Sequence, residues 1–600
     1  LAVSPSIVYF SRFAREDIYM ACFTLLLVVA VARYLRGRQM RWLVIAAAAF
    51  SLSYATKEAT FLTIAVFGSF FGALLIWELG SCWSIRSSIK EGVPFSGLLP
   101  RTGAPVALFI YFLVLGIAAK WFFGLLRNLS IYITDPKNMA AADAFVLVLK
   151  TNTVRLVPWI GILLCIFVLI IVLREMFGVE PASEKQGLAK CIDPEKQPLL
   201  DTLITMPWVH WFFALLCGWA IFLILFTVLF TNIAGGIGDG IWQGVYYWLQ
   251  QQQVARGGQP WYYYLMLIPL YEQIGLVFGL VGIVRCLIQP TRFRLFLVYW
   301  FVGNLFIYSW AGEKMPWLMI HLTMPMLLLA AIGLEPAVVR LLAVAKARLT
   351  RSGRAVDMAR GEGSAAPTFA SRSKVGGLAT GSAIFGVIIA VALLLPTLQN
   401  MYQVSYVHAA DAPHEMMIYV QTTTDANIVM AKIEQLDRQY YGGRHQIPVG
   451  VMDNATWPFA WYLRDYSIVC FKFPDGCPSY AKNIPVIIAA GEELPTAQQS
   501  YGASYKYHQY HMRTQWDQGY MMPPCVPSRT DACTDPQPYV GVGPFLWLSY
   551  GDNPPPNAKF NLGLAAKNVW QWWWQRKAIG STDGSYDMGL LIRNNLNVDP

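Results

Sequence analysis

Four clusters of polar residues stand where apolar sequence would be expected, and each carries groups able to do chemistry. The first is Ser11-Arg12-Phe13-Ala14-Arg15-Glu16-Asp17, two guanidinium groups and two carboxylates between apolar runs. Such a knot can be a structural ion-pair network. It can equally hold a divalent metal and a phosphate, with Asp17 as the metal ligand, because carboxylate oxygens suit hard cations and arginine suits phosphate. The residue types leave both readings open. The second cluster, Lys57-Glu58, sits at a turn between two short apolar runs, where an isolated pair is most often structural. The third joins Arg256-Gly257-Gly258 to the aromatic run Trp261 to Tyr264 and on to Tyr271-Glu272. Interfacial aromatic belts account for the tyrosines, but not for a glutamate at membrane depth. The fourth is Trp310-Ala311-Gly312-Glu313-Lys314-Met315-Pro316-Trp317, with His321 four residues further on. Snorkelling explains a lone lysine; it does not explain Glu313, Lys314 and His321 converging, so a functional site is expected there.

The elements that must position these groups are membrane helices. The 600 residues are 56% hydrophobic and 14% charged, with a mean hydropathy of +0.42; soluble domains carry about 25% charged residues. Hydrocarbon offers the backbone no hydrogen-bond partner, so apolar runs of this length must span as helices. We read one partial helix at about 1–10 and ten further spans near 18–35, 43–56, 60–78, 104–124, 158–174, 208–231, 263–285, 294–311, 317–334 and 376–396, about 11 in all. The net charge of +10 invites a nucleic-acid partner, but the basic residues lie in short loops between spans. One set of alternate loops, from Arg33 to Lys374, holds 22 Lys and Arg, and the other, from Arg12 to Lys314, holds 10. The positive-inside rule makes the richer set cytoplasmic, including a basic loop at 335–375. Residues 1–396 then form the membrane domain, and 397–600 an extracytoplasmic domain on a plasma (inner) membrane.

Cysteine usage agrees with this sidedness. Cys470, Cys477, Cys525 and Cys533 fall in the tail as two close pairs, which reads as disulfides Cys470–Cys477 and Cys525–Cys533 in an oxidising compartment. Within the tail, MMIYVQTT, IPVGVMD, SIVCFKF and NIPVIIAAG read as strands, and Asp425 caps an amphipathic stretch, NIVMAKIEQLDRQ. This alternation predicts a small α/β domain. Near the end, Trp570, Trp572, Trp573 and Trp574 precede Arg576 and Lys577, a composition suited to the headgroup level or to burial against the domain.

On these motifs the sequence resembles a known group of enzymes. Ser4-Pro5 with Phe10-Ser11-Arg12-Phe13-Ala14-Arg15-Glu16-Asp17, followed by Lys57-Glu58, resembles the second outer loop and the lysine-bearing turn of the GT-C membrane glycosyltransferases. These include the protein O-mannosyltransferases and lipid A aminoarabinose transferases. A nearer resemblance, to a prokaryotic flippase-activity-associated branch tied to surface glycosylation, rests on motifs spread along the chain. They are Arg256-Gly257-Gly258-Gln259-Pro260-Trp261-Tyr262-Tyr263-Tyr264 with Tyr271-Glu272, Gly312-Glu313-Lys314-Met315-Pro316-Trp317 with His321, Tyr419-Val420-Gln421-Thr422-Thr423, and Trp457-Pro458-Phe459 with Trp461-Tyr462-Leu463-Arg464.

The resemblance implies transfer of a sugar from a polyprenyl-phosphate-sugar donor to a protein or glycan acceptor outside the membrane. Asp17 and Glu16 would assist catalysis, with a divalent metal as the one implied cofactor. Arg12, Arg15, Lys57, Arg256 and Lys314 would bind the donor phosphate, and Glu58, Tyr271, Glu272, Glu313 and His321 the substrate. In that family an acidic pair in the first outer loop is the principal base. This chain starts at Leu1, within an apolar stretch, so an upstream helix and loop are expected to carry it; a degenerate, non-catalytic relative is the alternative. The absence of a phosphate-cradling glycine loop argues against direct use of a nucleotide sugar. Two further readings are a structural subunit bound to other membrane subunits, and a lipid-carrier translocation accessory.

Overall fold

The computed structural model describes residues 1–13, 15–81, 103–177, 192–254, 259–359, 377–410, 414–475, 477, 484–515, 520, 542–580 and 586–600. These fall into two compact units. The first contains Leu1, Phe10–Ile268 and Ile274–Val391; the second contains Ala2–Tyr9, Pro269–Gln273 and Ala392–Pro600.

In chain order the helices are α1 (Pro5–Ser11), α2 (Glu16–Gly37), α3 (Met40–Thr56), α4 (Thr60–Ser81), α5 (Ala104–Thr134), α6 (Met139–Phe177), α7 (Pro198–Thr205), α8 (Trp208–Phe226), α9 (Ile233–Val254), α10 (Tyr263–Tyr271), α11 (Gln273–Ile288), α12 (Arg292–Trp310), α13 (Met319–Ala359) and α14 (Gly377–Tyr402). Among the described residues, eight helices are long and apolar enough to cross a bilayer, and α10 with α11 passes the same test as a pair bent by 108°. The protein is a polytopic helical membrane protein with a C-terminal α/β region.

Several details differ from the sequence-based expectation. The predicted partial span at 1–10 is a seven-residue helix, α1. The apolar α3 has 17 residues and is separated from α4 by a turn at Lys57. The expected span at 158–174 is the second half of a 39-residue helix, α6, whose first half carries Lys150 and Arg155. The predicted basic loop at 335–375 begins as helix, because α13 runs on to Ala359 through an alanine-, leucine- and arginine-rich sequence of strong helix formers.

Helix packing in the first unit uses small residues, as expected where lipid leaves no hydrophobic drive between helices. A Cβ at Gly282 of α11 would lie 2.0 Å from the Leu329 carbonyl oxygen of α13, and one at Gly333 2.3 Å from that of Phe278. The two backbones therefore touch, and α13 is fixed against α11 over several turns. At the far end of α4 the buried Glu78 accepts from the Leu200 amide at 2.8 Å and faces the Arg292 guanidinium at 3.4 Å.

The second unit is built on a six-stranded mixed sheet. Its elements are β1 (Tyr419–Thr422), α15 (Asp425–Tyr441), β2 (Val449–Val451), α16 (Thr456–Tyr462), β3 (Val469–Phe471), β4 (Val486–Ala490), α17 (Leu494–Tyr501), β5 (Tyr505–Gln515), α18 (Pro544–Tyr550), α19 (Leu562–Gln575) and β6 (Tyr586–Arg593). Strand order is β1-β5-β6-β4-β2-β3; β2 is parallel to β3 and β4, and the remaining pairs are antiparallel.

Alternation along β4 assigns the faces. Val486, Ile488 and Ala490 join Ala426, Val429, Ile433 and Leu436 of α15 in one core. Ile487 and Ala489 join Ala497 of α17 in the other. Asp425 is the first residue of α15 rather than its cap: Thr424 takes the cap position, and the Asp425 carboxylate accepts from the His511 amide. The Cys470–Cys477 disulfide is present, with Cα atoms 5.2 Å apart. Cys525 and Cys533 lie outside the described residues.

Candidate active site

In the first unit, four separate segments converge on Asp17. Arg15 is extended and starts α2, so Asp17 occupies the first helical turn, fully buried. Lys57 ends α3 in an extended conformation, and the turn after it is braced by Thr60, whose hydroxyl donates to the Ser53 carbonyl at 2.8 Å. This geometry sets the Lys57 ammonium on both Asp17 oxygens, at 2.7 and 2.6 Å. From α13, His321 Nε2 lies 3.2 Å from Asp17 Oδ1. The imidazole stacks on Tyr308 of α12, ring centroids 5.6 Å apart and planes 6° from parallel, while Asn304 donates to the His321 carbonyl at 2.8 Å. Arg15 completes the cluster, its guanidinium 3.4 Å above the Trp317 ring and its Nε 3.9 Å from Asp17 Oδ2.

Two cations thus face one carboxylate, so the cluster keeps a surplus positive charge. An ammonium has three donors, and Asp17 takes two of those on Lys57. Lys57 also lines a cavity of about 240 Å³ with Tyr54, Glu58, Phe61, Asp239 and Gln243. Its far wall is held by Lys150, which pairs with Asp239 and donates to Gln243, both at 2.7 Å.

The expected residues divide accordingly. Asp17, Arg15, Lys57 and His321 are brought together, and Glu58 lies at the cavity. Glu16 and Arg12 are exposed, because the first turn of α2 directs Asp17 inward. The expected convergence of Glu313, Lys314 and His321 is not what forms. His321 turns to Asp17, Glu313 accepts from Tyr247 at 3.3 Å, and the buried Lys314 donates to the Ala311 carbonyl at 2.7 Å. The reason is the 3-10 turn Pro316–Leu318, which separates Lys314 from the helix carrying His321. Arg256 lies outside the described residues.

As to a metal, both Asp17 oxygens already carry the ammonium, and the imidazole lies on one of them. Among the described residues, no group of three or more His, Cys, Asp or Glu is arranged to hold one. Asp17 as it stands does not fit a divalent cation.

Tyr271 and Glu272 belong to the second unit, in a buried network of their own. Glu272 Oε1 accepts from the Ser4 hydroxyl at 2.6 Å, the Ser6 hydroxyl at 2.6 Å and the Ser6 amide at 3.0 Å. Tyr271 donates to Glu415 Oε2 at 2.7 Å. The other Glu415 oxygen is 2.9 Å from Arg576 Nε; the N–H is not aimed at it, so this contact is ionic rather than an aligned hydrogen bond. Arg576 lies under the Trp572 ring at 4.2 Å and donates to Asn400 Oδ1 at 2.9 Å.

Sequence reasoning missed Asp239, Gln243, Tyr54, Tyr308 and Asn304. Asp239 alone left a legible signal, as a single carboxylate in the glycine-rich, apolar start of α9.

Burial pulls the Lys314 pKa down to about 8, and Lys314 lies in a loop between spans. Below pH 8 the ammonium is present, and the fold bears the cost of burying it. As pH rises from about 8 toward the ordinary lysine value of 10.5, that cost is relieved and the charge disappears. Any anion held by Lys314 is therefore expected to bind more weakly above pH 8, up to about tenfold per pH unit. Lys314→Arg should flatten the profile, because arginine stays charged; anion affinity measured from pH 6.5 to 9.5 in both proteins checks this.

The sequence matches no protein-family model and no curated protein, so function must be argued from the site.

Proposed function

We propose that the protein transfers a sugar from a polyprenyl-phosphate donor to an acceptor at the outer face of the membrane, in the manner of the GT-C glycosyltransferases. The observation that carries this reading is the buried Lys57–Asp17–His321 cluster beside an open cavity. Lys57, with Arg15 nearby, would neutralise the phosphate as the glycosidic bond to it breaks. Charge grows on the leaving phosphate in the transition state, where preplaced cations are most effective. Asp17 and His321 orient the ammonium rather than removing the acceptor proton, because Asp17 is engaged by both. The resemblance assigns the base to an acidic residue of an outer loop. Glu58, Asp239 and Gln243 offer acceptors for hydroxyl groups in the cavity. The excess of lysine and arginine in alternate loops supports a C-terminal unit outside the cytoplasm.

One observation favours a second reading, a non-catalytic subunit: Asp17 and Lys57 satisfy each other as an internal ion pair. The cavity beside them favours the transferase. Turnover of a polyprenyl-phosphate-sugar panel by the protein reconstituted in lipid separates the two. At least a tenfold loss in Lys57→Ala, about 1.4 kcal/mol of transition-state stabilisation, supports the transferase. No turnover with any donor, with Lys57→Ala costing stability alone, leaves the subunit reading.

A further inference from the structure

The helix α19 carries its apolar stripe on the outside. Leu562, Ala566, Trp570 and Trp574 recur every four residues and are all exposed, with Leu562 at 72% and Trp570 at 59%. Residues at this spacing share one face, so the stripe runs the length of the helix. Phe560, just before α19, extends it, stacked edge-on against Phe545 at 5.5 Å; both rings are exposed. The opposite face is already used: Ala565 and Trp572 are buried, and Trp572 donates to the His414 carbonyl at 3.2 Å. An outward apolar stripe of this length marks a surface that something else covers.

Its charge and its anchorage identify the occupant. The helix contains no Asp or Glu; exposed Lys567 lies within it, and exposed Lys559 and Lys577 flank it. Its C-terminal end is tied to the last turn of α14, whose residues from Ala392 on belong to the same unit. Arg576 donates to Asn400 in the last turn of α14 at 2.9 Å, and Trp573 donates to the Leu270 carbonyl at 2.8 Å. One turn beyond Asn400, the exposed rings of Tyr402 and Tyr406 stack at 5.8 Å, as aromatic side chains do at headgroup level. The C-terminal end of the stripe is therefore held beside the last turns of a helix long and apolar enough to span a bilayer.

We propose that α19 is an interfacial helix, seating Leu562, Ala566, Trp570 and Trp574 at the headgroup–acyl boundary while Lys559, Lys567 and Lys577 hold anionic lipid headgroups. Tryptophan and leucine on one face with lysine at its edges is the composition of helices that lie in a bilayer surface.

The test places a photoreactive benzoylphenylalanine at Trp570 or Trp574, with Ile428, on the exposed face of α15, as the control site. The full chain is reconstituted in nanodiscs of phosphatidylcholine with and without phosphatidylglycerol. Lipid adducts at 570 and 574 but not at 428 are expected. Lys559→Glu, Lys567→Glu and Lys577→Glu together should lower adduct yield roughly fivefold or more in the anionic discs. All these positions are exposed, so folding, checked by melting temperature, should persist. Cross-links to a second copy of the chain, or lipid labelling no greater than at 428, would overturn the assignment.

Discussion

Lys57→Met is expected to lower the unfolding free energy by about 3–5 kcal/mol, the usual cost of leaving one partner of a buried ion pair uncompensated. Asp17 is fully buried, and both of its oxygens depend on this ammonium; His321 at 3.2 Å replaces only part of the loss. Adding Asp17→Asn removes the stranded charge and should return most of the stability. If the cluster is catalytic, donor turnover stays at least tenfold down in the double variant even as its melting temperature recovers. If the pair is only a brace, the double variant behaves like wild type in both assays. Lys57→Met with an unchanged melting temperature would show that Asp17 does not rely on Lys57.

Arg576→Met should be about as costly, roughly 3–5 kcal/mol, and confined to the second unit. The Arg576 and Glu415 side chains are 3% and 0% exposed, so without the guanidinium a fully buried carboxylate loses a cationic partner. The same guanidinium also binds Asn400 and packs under Trp572. Limited proteolysis should therefore cut the C-terminal unit of Arg576→Met at temperatures where wild type is intact. Pairing it with Glu415→Gln should recover part of the loss, since glutamine is neutral and still accepts from Tyr271. Wild-type protease resistance in Arg576→Met would mean that another group balances Glu415.

Much of the architecture is legible in the sequence because it depends on local pattern. Long apolar runs mark the spans, short ones mark β2, β3 and β4, and a spacing of seven residues marks the Cys470–Cys477 bridge. The candidate site is only half legible. Residue type singles out Asp17, Lys57 and His321, but their pairing joins positions 40 and 304 residues apart, which no local pattern encodes. Proximity in sequence even misleads at Glu313-Lys314, where a 3-10 turn sends neighbouring charges to different partners. Glu272 was conspicuous as a glutamate at membrane depth. That it lies at a 108° break and takes three hydrogen bonds from Ser4 and Ser6 follows only from tertiary packing.

The helix α6 is longer than the membrane it crosses. At 1.5 Å per residue its 39 residues extend about 58 Å, against roughly 30 Å of hydrocarbon. The apolar stretch after Arg155 fills that depth, and the turns bearing Lys150 and Arg155 project beyond it. Pro158 lies between the two parts and removes a hydrogen bond of the helix ladder there, while Lys150 before it is bonded to Asp239 and Gln243 in the cavity wall. One helix therefore supplies both an apolar stretch of membrane length and a brace for the wall of the cavity beside Lys57.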